Sequence, residues 1–335
     1  MLHSRTGAAC LAALLLCTAA SCDPEDDGST AWATAYDATE VGWLLSTWGP
    51  APDDLYTVGG SPTSGVIMHF DGSEWSPVET GLDVPLLNWV WGFGPDDVTI
   101  VGNQGTVIHW DGSTWELQDT PTDQTLWGVW GAAPDDLWAV GGEGRMEGQA
   151  TILRYDGSAW TSVALPPLMR MRVYALFKVW GTSSDHVFIV GQRGALLHWD
   201  GSALEEVLIG TTDDLISIWG TGPDRIAVAG GRGNGVVATW DGVEWRAENL
   251  APLPGLNGVW MRTPDVVHVV GVEGTIAIVD FDTLDYEEQY QDTRLTFHNV
   301  FGDQAGNLTA VGGSLSFPMG PYQGIAYRRH LGTAE

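Results

Sequence analysis

The sequence predicts an all-β fold, a seven-bladed β-propeller of four-stranded blades. Three observations carry that reading. First, a Trp-Gly marker or its equivalent recurs at Trp48, Trp91, Trp130, Trp180, Trp219, Trp260 and Phe301, at intervals of 43, 39, 50, 39, 41 and 41 residues. Self-similarity at that period signals one supersecondary unit per repeat. Second, the apolar runs inside each repeat span only five to seven residues, rich in Val, Ile, Trp and Thr and bounded by Gly, Pro and Asp, a composition that favours strands over helices. Third, the seventh repeat stops after three such runs, while a spare Trp-led segment stands at the other end of the chain: Ala31-Trp32-Ala33-Thr34 resembles Ala159-Trp160-Thr161-Ser162.

Taken in order, the chain opens with a short segment carrying Arg5 and an apolar run, AACLAALLLCTAA, too short to span a bilayer and ending in small residues. Ala19-Ala20-Ser21-Cys22 resembles the bacterial lipobox, and that resemblance implies that residues 1–21 are a lipoprotein signal peptide and Cys22 the lipidated first mature residue. All three cysteines lie within the first 22 residues, so the rest of the chain has none with which to form a disulfide. Residues 22–30 are acidic and read as a solvated tether, and residues 31–335 form the propeller.

The cleanest repeat, residues 86–120, contains one copy of every recurring feature. In the third repeat the strands are expected at 126–131, 136–141, 151–155 and 160–164. Pro134-Asp135-Asp136 makes the first turn, because Pro presets φ and Asp bonds its own backbone. Asp156-Gly157 makes the third, because Gly tolerates φ > 0. In the seventh repeat the strands are expected at 296–302, 307–312 and 324–329, with residues 32–36 as the missing fourth strand that closes the ring and removes an exposed edge.

A formal net charge of −29 excludes nucleic acid as a partner, since phosphate binding needs clustered Lys and Arg. The 44 glycines supply tight turns, and most of the 18 tryptophans recur at fixed repeat positions, where they fill the wedge between blades. Trp89 and Trp127 depart from the pattern.

The pattern L-x-x-V-W-G-x-x-P-D-D-V-x-x-V-G-x-x-G-T-x-x-H-W-D-G-x-x-W resembles that of a group of bacterial secreted and lipoprotein propellers, across residues 32–329. The run Trp110-Asp111-Gly112-Ser113-Thr114-Trp115 is distantly similar to the Asp-box of sialidase-like propellers, but lacks the spacer between Asp and Gly. A looser likeness is to tectonin-type propeller lectins. These resemblances imply a fold and a binding role at the cell envelope, not a reaction.

No H-E-x-x-H, G-x-S-x-G or Walker-type loop occurs. His69, His109 and His198 share one third-strand position in separate blades, which suits a repeated structural role better than metal ligation. First-turn and third-turn aspartates are expected on one face of the ring. They suggest turn formation rather than Ca²⁺, because no loop has a calcium-binding spacing; no cofactor is expected. The opposite face carries insertions at 142–149, 165–173 and 313–323, and loops on a rigid scaffold are where binding sites lie. No Lys or Arg occurs between Thr6 and Gly144. Arg145, Arg170, Arg172, Lys178, Arg193 and Arg232 follow, and the planar guanidinium fork suits carboxylate or phosphate. The resulting expectation is an exported, lipid-anchored, monomeric and non-catalytic binding or scaffold module, taking a protein partner or an acidic glycan on that face. The alternative is a glycan hydrolase or lyase acting at the central opening.

Overall fold

The computed structural model describes residues 31–143, 149–169, 172–289, 292–303 and 305–331. Residues 1–30 lie outside these, and with them the segments expected as signal peptide and tether, Cys22 included; so do Arg145 and Arg170. Seven antiparallel sheets of four strands follow one another around an axis. The first strands are innermost: Trp43–Ala51, Leu87–Gly94, Leu126–Ala133, Leu176–Ser183, Leu215–Gly222, Leu256–Trp260 and Thr296–Gly302. Blade 3 continues through Asp136–Gly141, Thr151–Tyr155 and Trp160–Ser162, as its turn residues predict.

The ring closes as the sequence indicates. Ala33–Thr34 pairs antiparallel with Gly324–His330 and becomes the fourth strand of blade 7, with Ala33 opposite Arg328 and Thr34 opposite Tyr327. Trp32 Nε1 donates to Gln289 of blade 6 at 2.7 Å, and Trp160 Nε1 donates to Gln118 of blade 2 at the same distance. The spare N-terminal Trp therefore makes the contact that a regular fourth-strand Trp makes.

The Trp-Gly marker has a direct steric explanation. Four of the first-strand tryptophans lay a ring edge on the glycine of the next blade. A Cβ at Gly92 would lie 2.6 Å from the Trp48 ring, one at Gly181 2.8 Å from Trp130, and one at Gly220 2.7 Å from Trp180. Trp260 covers Gly302 in the same way. Bulk on one blade and its absence on the next are thus one feature at four junctions; at Gly131 the ring of Phe93 takes the place of the Trp, and blade 6 has Met261 where the others have glycine.

The aspartates are turn formers. Asp111 Oδ1 accepts from the backbone of Ser113 and Thr114, both at 2.8 Å, and from the Ser113 hydroxyl at 2.7 Å. Asp71, Asp156 and Asp200 repeat this arrangement. The Thr114 amide and the Ser113 hydroxyl hold the Asp111 carboxyl down at about 2. The following glycine, Gly112, sits at φ +88°, a left-handed conformation that a side chain rarely adopts.

First-turn aspartates hold the third-strand bases. His69 lies 2.7 Å from Asp54, His109 3.0 Å from Asp97, and Arg154 3.0 Å from Asp136. His198 instead stacks on Phe188, with ring centroids 4.4 Å apart. Among the described residues, no three His, Cys, Asp or Glu side chains come together to hold a metal ion.

Candidate functional site

The functional geometry follows from one irregularity that all seven blades share. Each first strand slips register against its second strand: between Leu44 and Ser46, Leu87 and Trp89, Leu126 and Gly128, Leu176 and Lys178, Leu215 and Ser217, Leu256 and Gly258, and Phe297 and Asn299. A bulge inserts one unpaired residue and re-aims its neighbours. The extra residues are Leu45, Asn88, Trp127, Phe177, Ile216, Asn257 and His298, one from each blade, at the end of the first strand nearest the insertion face. Together they surround the axis at that end of the innermost strands, the mouth of the ring on that face.

Most polar side chains here tie one blade to the next. Ser46 Oγ accepts from the Val90 amide, Asn88 donates to the Leu126 carbonyl at 2.9 Å, Asn257 donates to the Phe297 carbonyl at 2.9 Å, and Asn299 Oδ1 accepts from the Thr47 amide at 3.0 Å. His298 Nδ1 donates to the Leu45 carbonyl at 2.6 Å. Burial, together with the nearby charge of Lys178, holds the His298 imidazole down at about 3, so at neutral pH this ring is uncharged.

Lys178 breaks the pattern by reaching back. Its stem crosses the bare backbone of Gly128, where an added Cβ would lie 3.3 Å from the lysine Cδ. Its Nζ donates to the carbonyl of Trp127 in blade 3 at 2.8 Å and stands 4.0 Å from the centre of the Trp89 ring in blade 2. The side chain is 3% exposed, and burial lowers its pKa to about 7. The two tryptophans that depart from the repeat are therefore the two that receive the lysine. The cavity that it lines is small, about 20 Å³, and is walled by the marker tryptophans, by Val and Ile of the first strands and by Thr47, Ser217 and Asn299; no carboxylate lines it among the described residues.

The arginines divide. Asp214 brings Arg193 and Arg232 together: its Oδ1 accepts from the Arg193 backbone N–H and its Oδ2 from Arg232 Nε, both at 2.9 Å. The Arg232 guanidinium lies over the ring of Phe177, 5.3 Å from its centre, at the rim of the mouth. Arg193 occupies a left-handed turn position at φ +59° and is exposed. Arg172 is exposed in the neighbouring loop, which is tied to the same region by the Tyr174 amide donating to the Gln192 side chain at 3.0 Å. Lys178 lies buried inside the ring rather than on this surface.

Sequence reasoning did not single out the insertion of residues 313–323 as an apolar platform. Tyr322 packs edge-on against Trp43 at 4.9 Å, Trp43 Nε1 donates to Ser314 Oγ at 3.2 Å, and Leu315 joins the cluster of Trp43, Leu45 and Leu86. On this base Phe317 is 60% exposed and Met319 91% exposed. Met169 and Leu208, in other loops of the same face, are also exposed. The signal was available in SLSFPMGPYQ, an apolar and aromatic composition in a loop. The face thus combines the guanidinium groups of blades 4 and 5 with bare apolar side chains, Phe317 and Met319 in blade 7 and Met169 and Leu208 beside blade 4.

The chain matches no protein-family model and no curated protein. Among solved structures it is similar to YCF48 bound to D1 peptide, with a TM-score of 0.67 at 15% identity, covering 90% of this chain and 97% of that one. It is similar to YCF48 from Cyanidioschyzon merolae, with a TM-score of 0.65 at 13% identity, covering 90% and 99%. A streptogramin B lyase structure matches with a TM-score of 0.66 at 11% identity, covering 88% and 95%. At these identities the likeness is one of fold.

Proposed function

We propose that this propeller is a non-catalytic binding module that docks a segment of a protein partner across the insertion face. The observation that carries the proposal is the composition of that face, where exposed Phe317 and Met319 of blade 7 accompany Arg193 and Arg232 of blades 4 and 5. Apolar side chains left bare on a soluble surface mark an interaction site, and guanidinium groups beside them favour a partner that also offers carboxylates. A protein of the same architecture is bound to a D1 peptide, which supports peptide capture as a use of this scaffold. Glycoside chemistry at the centre would need paired carboxylates, and the axial lining offers none among the described residues.

We also propose that the chain is exported and held by a lipid on Cys22. The acidic tether then enters at the aspartate-rich face, where residue 31 begins the closing strand, and the docking face points away from the membrane. A Cys22→Ser variant recovered in soluble form, without incorporated palmitate, is the expected outcome; palmitate incorporation unchanged in that variant would remove the anchor from the proposal.

Docking is tested by a photo-crosslinking residue placed at Phe317 and, as a control, at Val243, which is exposed in a third turn on the aspartate-rich face. A discrete adduct from position 317 and none from 243 is expected. The captured segment should then bind the Arg193→Ala/Arg232→Ala variant at least about tenfold more weakly, the effect of losing charge-assisted hydrogen bonds. Equal labelling from both faces would refute the docking surface.

A further inference from the structure

Lys178 is the only lysine in the chain, and its place is unusual for a purely structural charge. Its ammonium is buried, has a single hydrogen bond among the described residues, to the Trp127 carbonyl, and rests on the Trp89 ring. Among the described residues no carboxylate pairs with it, in a chain that has 43 acidic residues. The titratable group that shares its field from a neighbouring element is His298 of blade 7, which Arg232 of blade 5 also influences; Asp214 of blade 5 holds that arginine. Both Asp214 oxygens are engaged, one by the Arg193 amide and one by Arg232. His298 spends its Nδ1 proton on the Leu45 carbonyl. A buried ammonium without an anion destabilises the fold that contains it, yet the sequence clears room for this one by placing Gly128 beneath its stem.

We propose that the axial mouth is a carboxylate-binding site in which Lys178 supplies the counter-charge. A carboxylate descending between Trp127, Phe177 and His298 meets the two ammonium protons not donated to Trp127. Its organic remainder lies against the apolar patch of Phe177 and Ile216, which pack together with Ala175 and Trp127. Arg232, already stacked on Phe177, strengthens the positive field at the rim. This site does not depend on protein docking over the outer face: a small organic acid fits the chemistry as well as the terminal carboxylate of a peptide.

The proposal has a protonation signature. A bound carboxylate favours the ammonium, so it raises the pKa of Lys178 from its value near 7 and draws in a proton at alkaline pH. By linkage, affinity is constant below neutrality and falls as pH rises through the free-state pKa, approaching tenfold per unit.

Because the chain has one lysine, protein labelled with [¹³C]lysine gives one side-chain Cε resonance, and its pH titration reads Lys178 directly. The probes are acetate, 3-phenylpropionate, the tripeptide Ac-Ala-Ala-Phe with a free terminal carboxylate, and the same tripeptide as its amide. The expected result is a rise of a unit or more in the lysine midpoint with a free acid and none with the amide. Affinity for the responding acid should be at least tenfold weaker at pH 9 than at pH 6, and lost in Lys178→Met. A response to the tripeptide acid identifies a chain terminus as the source, and a response to the small acids alone identifies a free organic acid. An unmoved lysine midpoint with every probe at tens of millimolar overturns the site, as does undiminished acid binding by Lys178→Met. Since the Arg193/Arg232 variant reports on the outer face and Lys178→Met on the mouth, either proposal can fail without the other.

Discussion

At the scale of single residues, the molecule depends on pairs that only make sense across blades. Gly220 is required because the Trp180 ring occupies the space that a side chain would need, 2.7 Å from an added Cβ. Gly220→Ala should therefore destabilise the fold by about 1–3 kcal/mol, the usual cost of overpacking a core, seen as a lowered midpoint in urea. Gly222, two residues on, has nothing within 4 Å of its Cβ position, and Gly222→Ala serves as the control that should not show this loss. Lys178 gives a prediction of opposite sign. Its pKa lies near 7 in the folded state and near 10.4 in an unfolded chain, so between those values the unfolded state binds more protons and stability rises with pH. Below neutrality the buried charge carries its full penalty. Lys178→Met should then raise the thermal midpoint most at pH 6 and less at pH 10, flattening the alkaline part of the profile. A profile identical to that of the unmodified chain would show that the lysine is solvated.

At the scale of elements, the closing strand is the test of the architecture. It contributes two paired residues, the Ala35 amide bonded to the Ala326 carbonyl, and the Trp32 contact to Gln289. Removing residues 32–36 exposes the third strand of blade 7 and the apolar cluster of Ala38, Leu44, Val311 and Ala326. A cooperative loss of stability across the whole domain is expected in denaturant titrations followed by tryptophan fluorescence. Unchanged melting of the truncated chain would contradict closure by this strand. The strand was legible beforehand because Trp32 could be compared with Trp160, and the repeats supported one another. Other elements were not. The first-strand bulges leave no mark in hydropathy, since Leu45, Trp127 and Ile216 look like ordinary strand residues. Without the bulge, the residues at the mouth could not be assigned to a common position facing the axis. Trp89, Trp127 and Lys178 each stood out against the repeat, but they belong to three blades, and only the ring brings them together. Asp214 precedes a first strand as a connecting residue, and nothing in its neighbourhood announces that it gathers Arg193 and Arg232.

At the scale of the whole molecule, the two faces of the ring have been given different work by the same repeat. One face is regular, with its carboxylates engaged in turns and with third-strand bases; the other is where the regularity fails, and there the exposed guanidinium and apolar groups collect. The seam between residue 31 and the end of the chain has a mechanical consequence. Ala33–Thr34 runs antiparallel to Gly324–His330, so residues 31 and 331 leave the sheet side by side at one end of a strand pair. Tension between these two points loads the pair as a zipper, one hydrogen bond at a time, rather than in shear. Handles at residues 31 and 331 in an optical trap should open the seam at a low, early force step before the blades yield, and handles on blades 2 and 5 should give no such step. Under the proposed anchor at Cys22, the ring has its weakest joint at its point of attachment.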